Sequence, residues 1–163
     1  MTQLIVVMGV SGAGKSTVGL ALAELLGVQF VDADGLHPAA NVAKMAAGTP
    51  LTDADRWPWL ELVGRALADA AEPGLVVACS ALKRSYRDAI RAAAPGVRFV
   101  HLVVPRVVLG DRVANRPGHF MPATLVASQL ETLEPLGADE AGVVVNSEGG
   151  VKATAERALA ALA

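Results

Sequence analysis

Leu4-Ile5-Val6-Val7-Met8-Gly9-Val10-Ser11-Gly12-Ala13-Gly14-Lys15-Ser16-Thr17 decides how the rest of the chain is read. Its apolar start has the look of a buried strand, and Gly9 to Ser16 then spell G-x-x-x-x-G-K-S. That is a phosphate-binding loop in the context it needs, directly after a strand and directly before a helix. Glycines let the backbone wrap so closely that its N–H groups point at phosphate oxygens, while the following helix presents the positive end of its dipole. Lys15 adds a point charge for the β and γ phosphates, and the Ser16 hydroxyl can ligate the Mg²⁺ that bridges them. ATP and Mg²⁺ are therefore the expected cofactors. The nucleotide-binding set is Gly9, Val10, Ser11, Gly12, Ala13, Gly14, Lys15, Ser16 and Thr17.

Working outward, apolar runs at Leu75 to Cys79, Val97 to Val104 and Val143 to Val145 read as further strands, with a shorter one at Gln29 to Asp32. Between them, Ser16 to Leu26 and Val151 to Leu162 repeat apolar residues at helical spacing. Strands that are apolar on both faces and alternate with helices predict an α/β domain, a five-stranded parallel sheet flanked by helices on both faces. At 163 residues a single domain, 1–163, is expected.

The remaining composition mostly excludes. Hydrophobic residues reach 53%, but Ala supplies much of that and no apolar run approaches a membrane span. Met1-Thr2-Gln3 carries no basic leader, so the expectation is a cytoplasmic protein without membrane partners. A net charge of −2 with scattered Lys and Arg leaves no footprint for nucleic acid. The single cysteine, Cys79, is expected to be a buried strand residue. A guanine-reading Asn-Lys-x-Asp motif is missing, since none of Asn41, Asn115 and Asn146 precedes a lysine.

The phosphoryl acceptor has to be sought beside the second strand, which ends in Asp32-Ala33-Asp34 at the sheet edge where ligands of α/β folds collect. Positions two apart in a strand point the same way, so both carboxylates are expected to face the phosphates. Asp32 is assigned to the metal together with Ser16, and Asp34 to the base that takes the acceptor's proton. Arg56, Lys44, His37, Lys83, Arg84 and Arg87 offer cations and donors to an anionic acceptor. Arg56, expected in a turn after Thr52 and Asp55, is the first choice for a bidentate carboxylate grip. Trp59, Val63 and Leu67 share one helical face, so Trp57 and Trp59 are taken as packing residues.

A larger pattern runs through Asp32-Ala33-Asp34, Leu36-His37-Pro38, Asn41, Lys44-Met45, Gly48-Thr49-Pro50-Leu51 and Asp55-Arg56-Trp57-Pro58-Trp59-Leu60. It continues in Cys79-Ser80-Ala81-Leu82-Lys83, Tyr86-Arg87-Asp88, Arg116, Gly118-His119-Phe120, Gln129 and Glu131-Thr132-Leu133-Glu134. In these motifs, from residue 4 to about 140, the chain resembles the gluconate kinase family. The resemblance implies a P-loop kinase fold and transfer of the ATP γ-phosphoryl group to the 6-hydroxyl of D-gluconate. It implies Lys15, Asp34 and Arg116 as catalytic residues, and a substrate set of Asp34, His37, Lys44, Arg56, Lys83, Arg87, His119 and Gln129. Arg112 and Arg116 lie four apart on one face, leading into a breaker-rich loop; a mobile lid is expected at about residues 112–124, with both arginines reaching the nucleotide. The resemblance is compatible with a homodimer. A shikimate-kinase-like enzyme acting on another small hydroxy acid, and a nucleotide-responsive binding module without catalysis, are the alternatives.

Overall fold

Branched apolar side chains favour a pleated, buried strand, and Leu4–Met8 forms one, β1, buried along its whole length. This computed structural model describes residues 3–104 and 123–163. In order, β1 is followed by α1 (Lys15–Leu26), β2 (Gln29–Asp32), a 3₁₀ turn (Ala33–Leu36), α2 (Ala39–Ala46), α3 (Asp53–Asp69), β3 (Leu75–Ala78), α4 (Arg84–Ala93), β4 (Arg98–Val103), α5 (Ala123–Thr132), β5 (Gly142–Asn146) and α6 (Val151–Leu162). The five strands run parallel in the order β2-β3-β1-β4-β5. This is the P-loop kinase fold. Expected strand ends shift slightly: Cys79, Val97 and Val104 fall just outside β3 and β4, and β5 extends to Gly142 and Asn146. Val97 belongs instead to the turn after α4, its N–H donating to Ala94 O.

Period two divides β1 between two cores. Leu4, Val6 and Met8 pack with Leu60, Val63 and Leu67 of α3 and Ile90 of α4. Ile5 and Val7 face the other way, onto Val18 and Leu22 of α1 and Ala155 and Ala158 of α6. Each fully buried aliphatic side chain contributes roughly 1.5–3 kcal/mol, so both faces of the central strand are strongly held. Gly64 lets α3 approach α4 closely: a Cβ there would stand 2.7 Å from Ala93 Cβ. Among the described residues, no helix is long and apolar enough to cross a membrane.

Register decides what meets at the ligand edge. Ala78 pairs with both Val7 and Asp32, and Met8 with His101. The carboxyl ends of β1, β2 and β3 therefore lie within a residue of one another while β4 runs two residues further. The phosphate loop, Asp32 and the Ser80–Lys83 segment all leave the sheet from that edge, where ligands of open α/β folds bind.

Candidate active site

The phosphate loop leaves β1 through Gly9, whose φ of +149° excludes ordinary side chains and whose Cβ would meet Leu102 O at 2.9 Å. Ser16, in the first turn of α1, donates from Oγ to Asp32 Oδ2 at 2.6 Å. The expected metal pair is thus in contact. Among the described residues there is no group of three or more His, Cys, Asp or Glu that could hold a metal. Mg²⁺ asks for less, since it takes one or two carboxylates and fills its shell with water and phosphate oxygens. An all-oxygen Ser16–Asp32 pair fits that chemistry. Lys15 Nζ donates to Val10 O at 3.1 Å.

Asp34 reaches the same edge by a different route from the one expected. The strand ends at Asp32, and Asp34 sits in the 3₁₀ turn, so strand alternation is not what orients it. Instead Asp32 caps that turn, its Oδ1 accepting from Asp34 N–H at 3.0 Å. Asp32 therefore has one carboxylate oxygen on the turn and the other on Ser16. Lys15, Asp34 and Asp32 all lie close enough to bias the Cys79 thiol electrostatically, although burial dominates and pushes that thiol up to about 12. Cys79 is buried as expected and stays protonated.

Trp59 does more than pack. It is buried on α3 as expected, but its Nε1 donates to Ala33 O at 2.7 Å and its ring stacks on His37 at 4.1 Å. It therefore supports the turn that carries Asp34. Trp57 departs from expectation: it is 40% exposed and meets Tyr86 edge-on. His37 Nδ1 lies 3.2 Å from Asn41 Nδ2, which also donates to Asp55 O at 2.9 Å. With the Asn41 amide donating to both, Nδ1 accepts and the proton resides on Nε2. Burial lowers the His37 pKa, opposed by Asp34 and reinforced by Arg56, so the ring is neutral near pH 7.

Arg56 stands in the first turn of α3 rather than in a loop, because Thr52 starts the helix with a capping box: Thr52 Oγ1 accepts from Asp55 N–H and Asp55 Oδ2 from Thr52 N–H. Asp55 Oδ2 also accepts from Lys44 Nζ at 2.7 Å. Those hydrogen bonds, Lys44's first, hold the Asp55 carboxyl at about 2. Asp53 gathers the other cations. Its Oδ1 accepts from Tyr86 OH at 2.5 Å and Arg56 Nη1 at 3.5 Å, and its Oδ2 from Lys83 Nζ at 3.3 Å. The Tyr86 hydrogen bond above all keeps Asp53 ionised, and Asp53 in turn raises the Lys83 pKa. Lys44, Arg56 and Lys83 thus come to one side, each paired with an α3 carboxylate. Sequence reasoning missed Asp53 and Asp55. The acidic first turn and Thr52-x-x-Asp55 were the available signals.

Arg87 is corrected. It is completely buried, with Nε and Nη2 on Glu140 at 2.8 and 3.0 Å and Nη1 on the Ala81 and Leu82 carbonyls. A side chain so enclosed offers nothing to a substrate. What it does is shape the Ser80–Lys83 segment, where Ala81 adopts a left-handed φ of 44°, a conformation costing about 1–2 kcal/mol for a residue with a Cβ. Arg84 points elsewhere, bidentate on Asp139 at 2.8 and 2.6 Å. Gln129 does not stand with the acceptor-side cations; its Oε1 accepts from Ser11 N–H at 2.7 Å. Arg112, Arg116 and His119, with lid residues 112–122, lie outside the described residues.

A family model described as an AAA domain matches residues 4–136. A gluconokinase of Gluconobacter oxydans (strain 621H) is 51% identical over 148 residues, spanning 90% of this chain and 83% of that protein. The crystal structure of a gluconokinase from Sinorhizobium meliloti 1021 superposes with a TM-score of 0.89 at 50% identity, covering 98% of this chain and 91% of the other. A shikimate kinase from Acinetobacter baumannii shares the fold, with a TM-score of 0.61 at 22% identity, over 99% of this chain and 93% of its own.

Proposed function

This chain belongs to the gluconokinase family, and we propose that it transfers the γ-phosphoryl group of ATP to the 6-hydroxyl of D-gluconate, giving ADP and 6-phospho-D-gluconate. The observation that carries the chemistry is the 2.6 Å hydrogen bond from Ser16 Oγ to Asp32 Oδ2, which ties the phosphate loop to the turn bearing Asp34. Ser16 and Asp32 are the residues that would hold Mg²⁺, which when bound neutralises charge on the β and γ phosphates. Lys15 serves the same phosphates.

Asp34 receives the proton of the 6-hydroxyl as that oxygen forms its bond to phosphorus and the bond to the ADP oxygen breaks. Arg56 and Lys83 take the carboxylate end of gluconate, joining or displacing Asp53. Lys44 and the Nε2–H of His37 serve its hydroxyls, and a neutral imidazole suits that task better than a charged one. Arg116 is assigned as the lid arginine that stabilises charge on the transferring group, with Arg112 beside it at the nucleotide and His119 on the substrate.

The test is an ADP-release assay with Mg-ATP over a panel of sugar acids and shikimate. Gluconate should lead in kcat/KM by about tenfold or more, the discrimination expected when matched hydroxyl contacts are lost. Faster turnover of shikimate would overturn the assignment.

A further inference from the structure

We propose that Gln129 is a positioning residue for Lys15, acting through the peptide unit that joins Val10 to Ser11. The proposal rests on the reading of Gly9 to Ser16 as the nucleotide cradle and is independent of the acceptor. Ser11 N–H is a donor, so the Gln129 atom 2.7 Å from it is the amide oxygen. At the opposite end of the same peptide, the Val10 carbonyl accepts from Lys15 Nζ at 3.1 Å. One peptide is therefore clamped on both sides. A hydrogen bond accepted from its N–H polarises its carbonyl and strengthens what that carbonyl holds.

The clamp is long-range and firmly delivered. Residues 11 and 129 are 118 apart in sequence. Leu130 and Leu133 pack against Val10, Leu82 and Val104. Just beyond α5, Glu134 donates from its N–H to Leu82 O at 2.7 Å and accepts from Arg84 N–H at 2.9 Å. Packing of this segment onto the loop is thus supplied by leucines, and the amide oxygen adds a separate element, the orientation of one peptide. Without it a half-buried N–H loses its partner, the peptide can tilt, and the ammonium of Lys15 starts from a different place relative to the β and γ phosphates.

Calorimetric ATP binding to wild type, Gln129→Leu, Lys15→Met and the double variant tests this. Gln129→Leu, which keeps bulk and loses the acceptor, should weaken ATP about tenfold while unfolding cooperatively and leaving the gluconate KM unchanged. In the Lys15→Met background the same change should have no further effect, since the two act as one unit. Unchanged ATP affinity in Gln129→Leu overturns the proposal. So do additive effects in the double variant, which would mean that Gln129 contacts the nucleotide itself or supports the loop generally. Should Gln129→Leu fail to unfold cooperatively, Gln129→Met takes its place under the same criteria. Calorimetry needs no acceptor, so an inactive gluconate assay beside the expected binding pattern would count against the acceptor assignment alone.

Discussion

Asp34→Asn keeps the hydrogen bond that shapes its turn, because that contact runs from the backbone N–H of Asp34 to Asp32 Oδ1, although His37 loses the carboxylate that raises its pKa. Asp34→Asn is accordingly expected to bind ATP with wild-type affinity by calorimetry and to lose phosphoryl transfer by a factor on the order of 10² or more. ATP binding lost together with activity would move the base assignment elsewhere. Among the described residues Arg56 Nη1 makes long contacts, 3.5 Å to Asp53 Oδ1 and 3.4 Å to Tyr86 OH, which a carboxylate ligand can outcompete. If it grips the gluconate carboxylate equally in ground and transition states, Arg56→Ala raises KM about tenfold with kcat unchanged. A fall in kcat alone would point to a role in the transition state. At this scale the sequence was informative on placement: Lys15 and Ser16 open α1 directly after the glycine-rich loop, and Asp32 ends β2 in contact with Ser16. It was silent on Arg87, whose partner Glu140 lies 53 residues away and which shares its cationic character with Lys44, Arg56 and Lys83.

Elements show their dependence on such buried partners. α4 and the segment before β5 are joined by the Arg87–Glu140 pair, with side chains 0% and 1% exposed. Arg91 Nη2 also reaches Glu140 Oε1 at 2.7 Å, so Arg87→Ala leaves that carboxylate partly paired and should cost about 1–3 kcal/mol in urea unfolding, still beyond a surface ion pair. A loss no larger than that of Arg84→Ala, whose pair with Asp139 is exposed, would contradict this. α2 is tethered to the start of α3 through Lys44 and Asp55. The folded Asp55 pKa, about 2, lies below its ordinary 3.8, so the pair stabilises the fold above 3.8 and that contribution fades as pH falls toward about 2. The thermal midpoint of Lys44→Met should therefore lie below wild type above pH 3.8 and converge with it on acidification. A gap independent of pH would refute the coupling. Helix α6 was readable to its ends because its periodicity is regular, whereas the start of α3 was taken for a turn. Its capping box is made of the same Thr and Asp residues that also build loops.

For the whole molecule, parallel strands between helices were evident from apolar runs, but their spatial order was not. Nothing in the run Leu75–Ala78 says that β3 slots between β1 and β2. That insertion is a tertiary fact, and it is what sets Asp32 level with the end of β1. It also makes the molecule lopsided in a way open to direct observation. The chain has two tryptophans, and both lie on α3, Trp59 stacked on His37 and Trp57 against Tyr86. The side built from α1 and α6 is dark to indole emission, while the proposed gluconate pocket carries an unlabelled optical reporter. Gluconate titrated into the protein should change the emission where ADP alone does little. Acidification through the lowered His37 pKa should quench Trp59, as the stacked imidazole gains a charge. A Trp59 spectrum indifferent to pH would separate the ring pair from the titration. Observed as expected, the gluconate response turns an architectural stack into a gauge of acceptor occupancy that needs neither a coupling enzyme nor a dye.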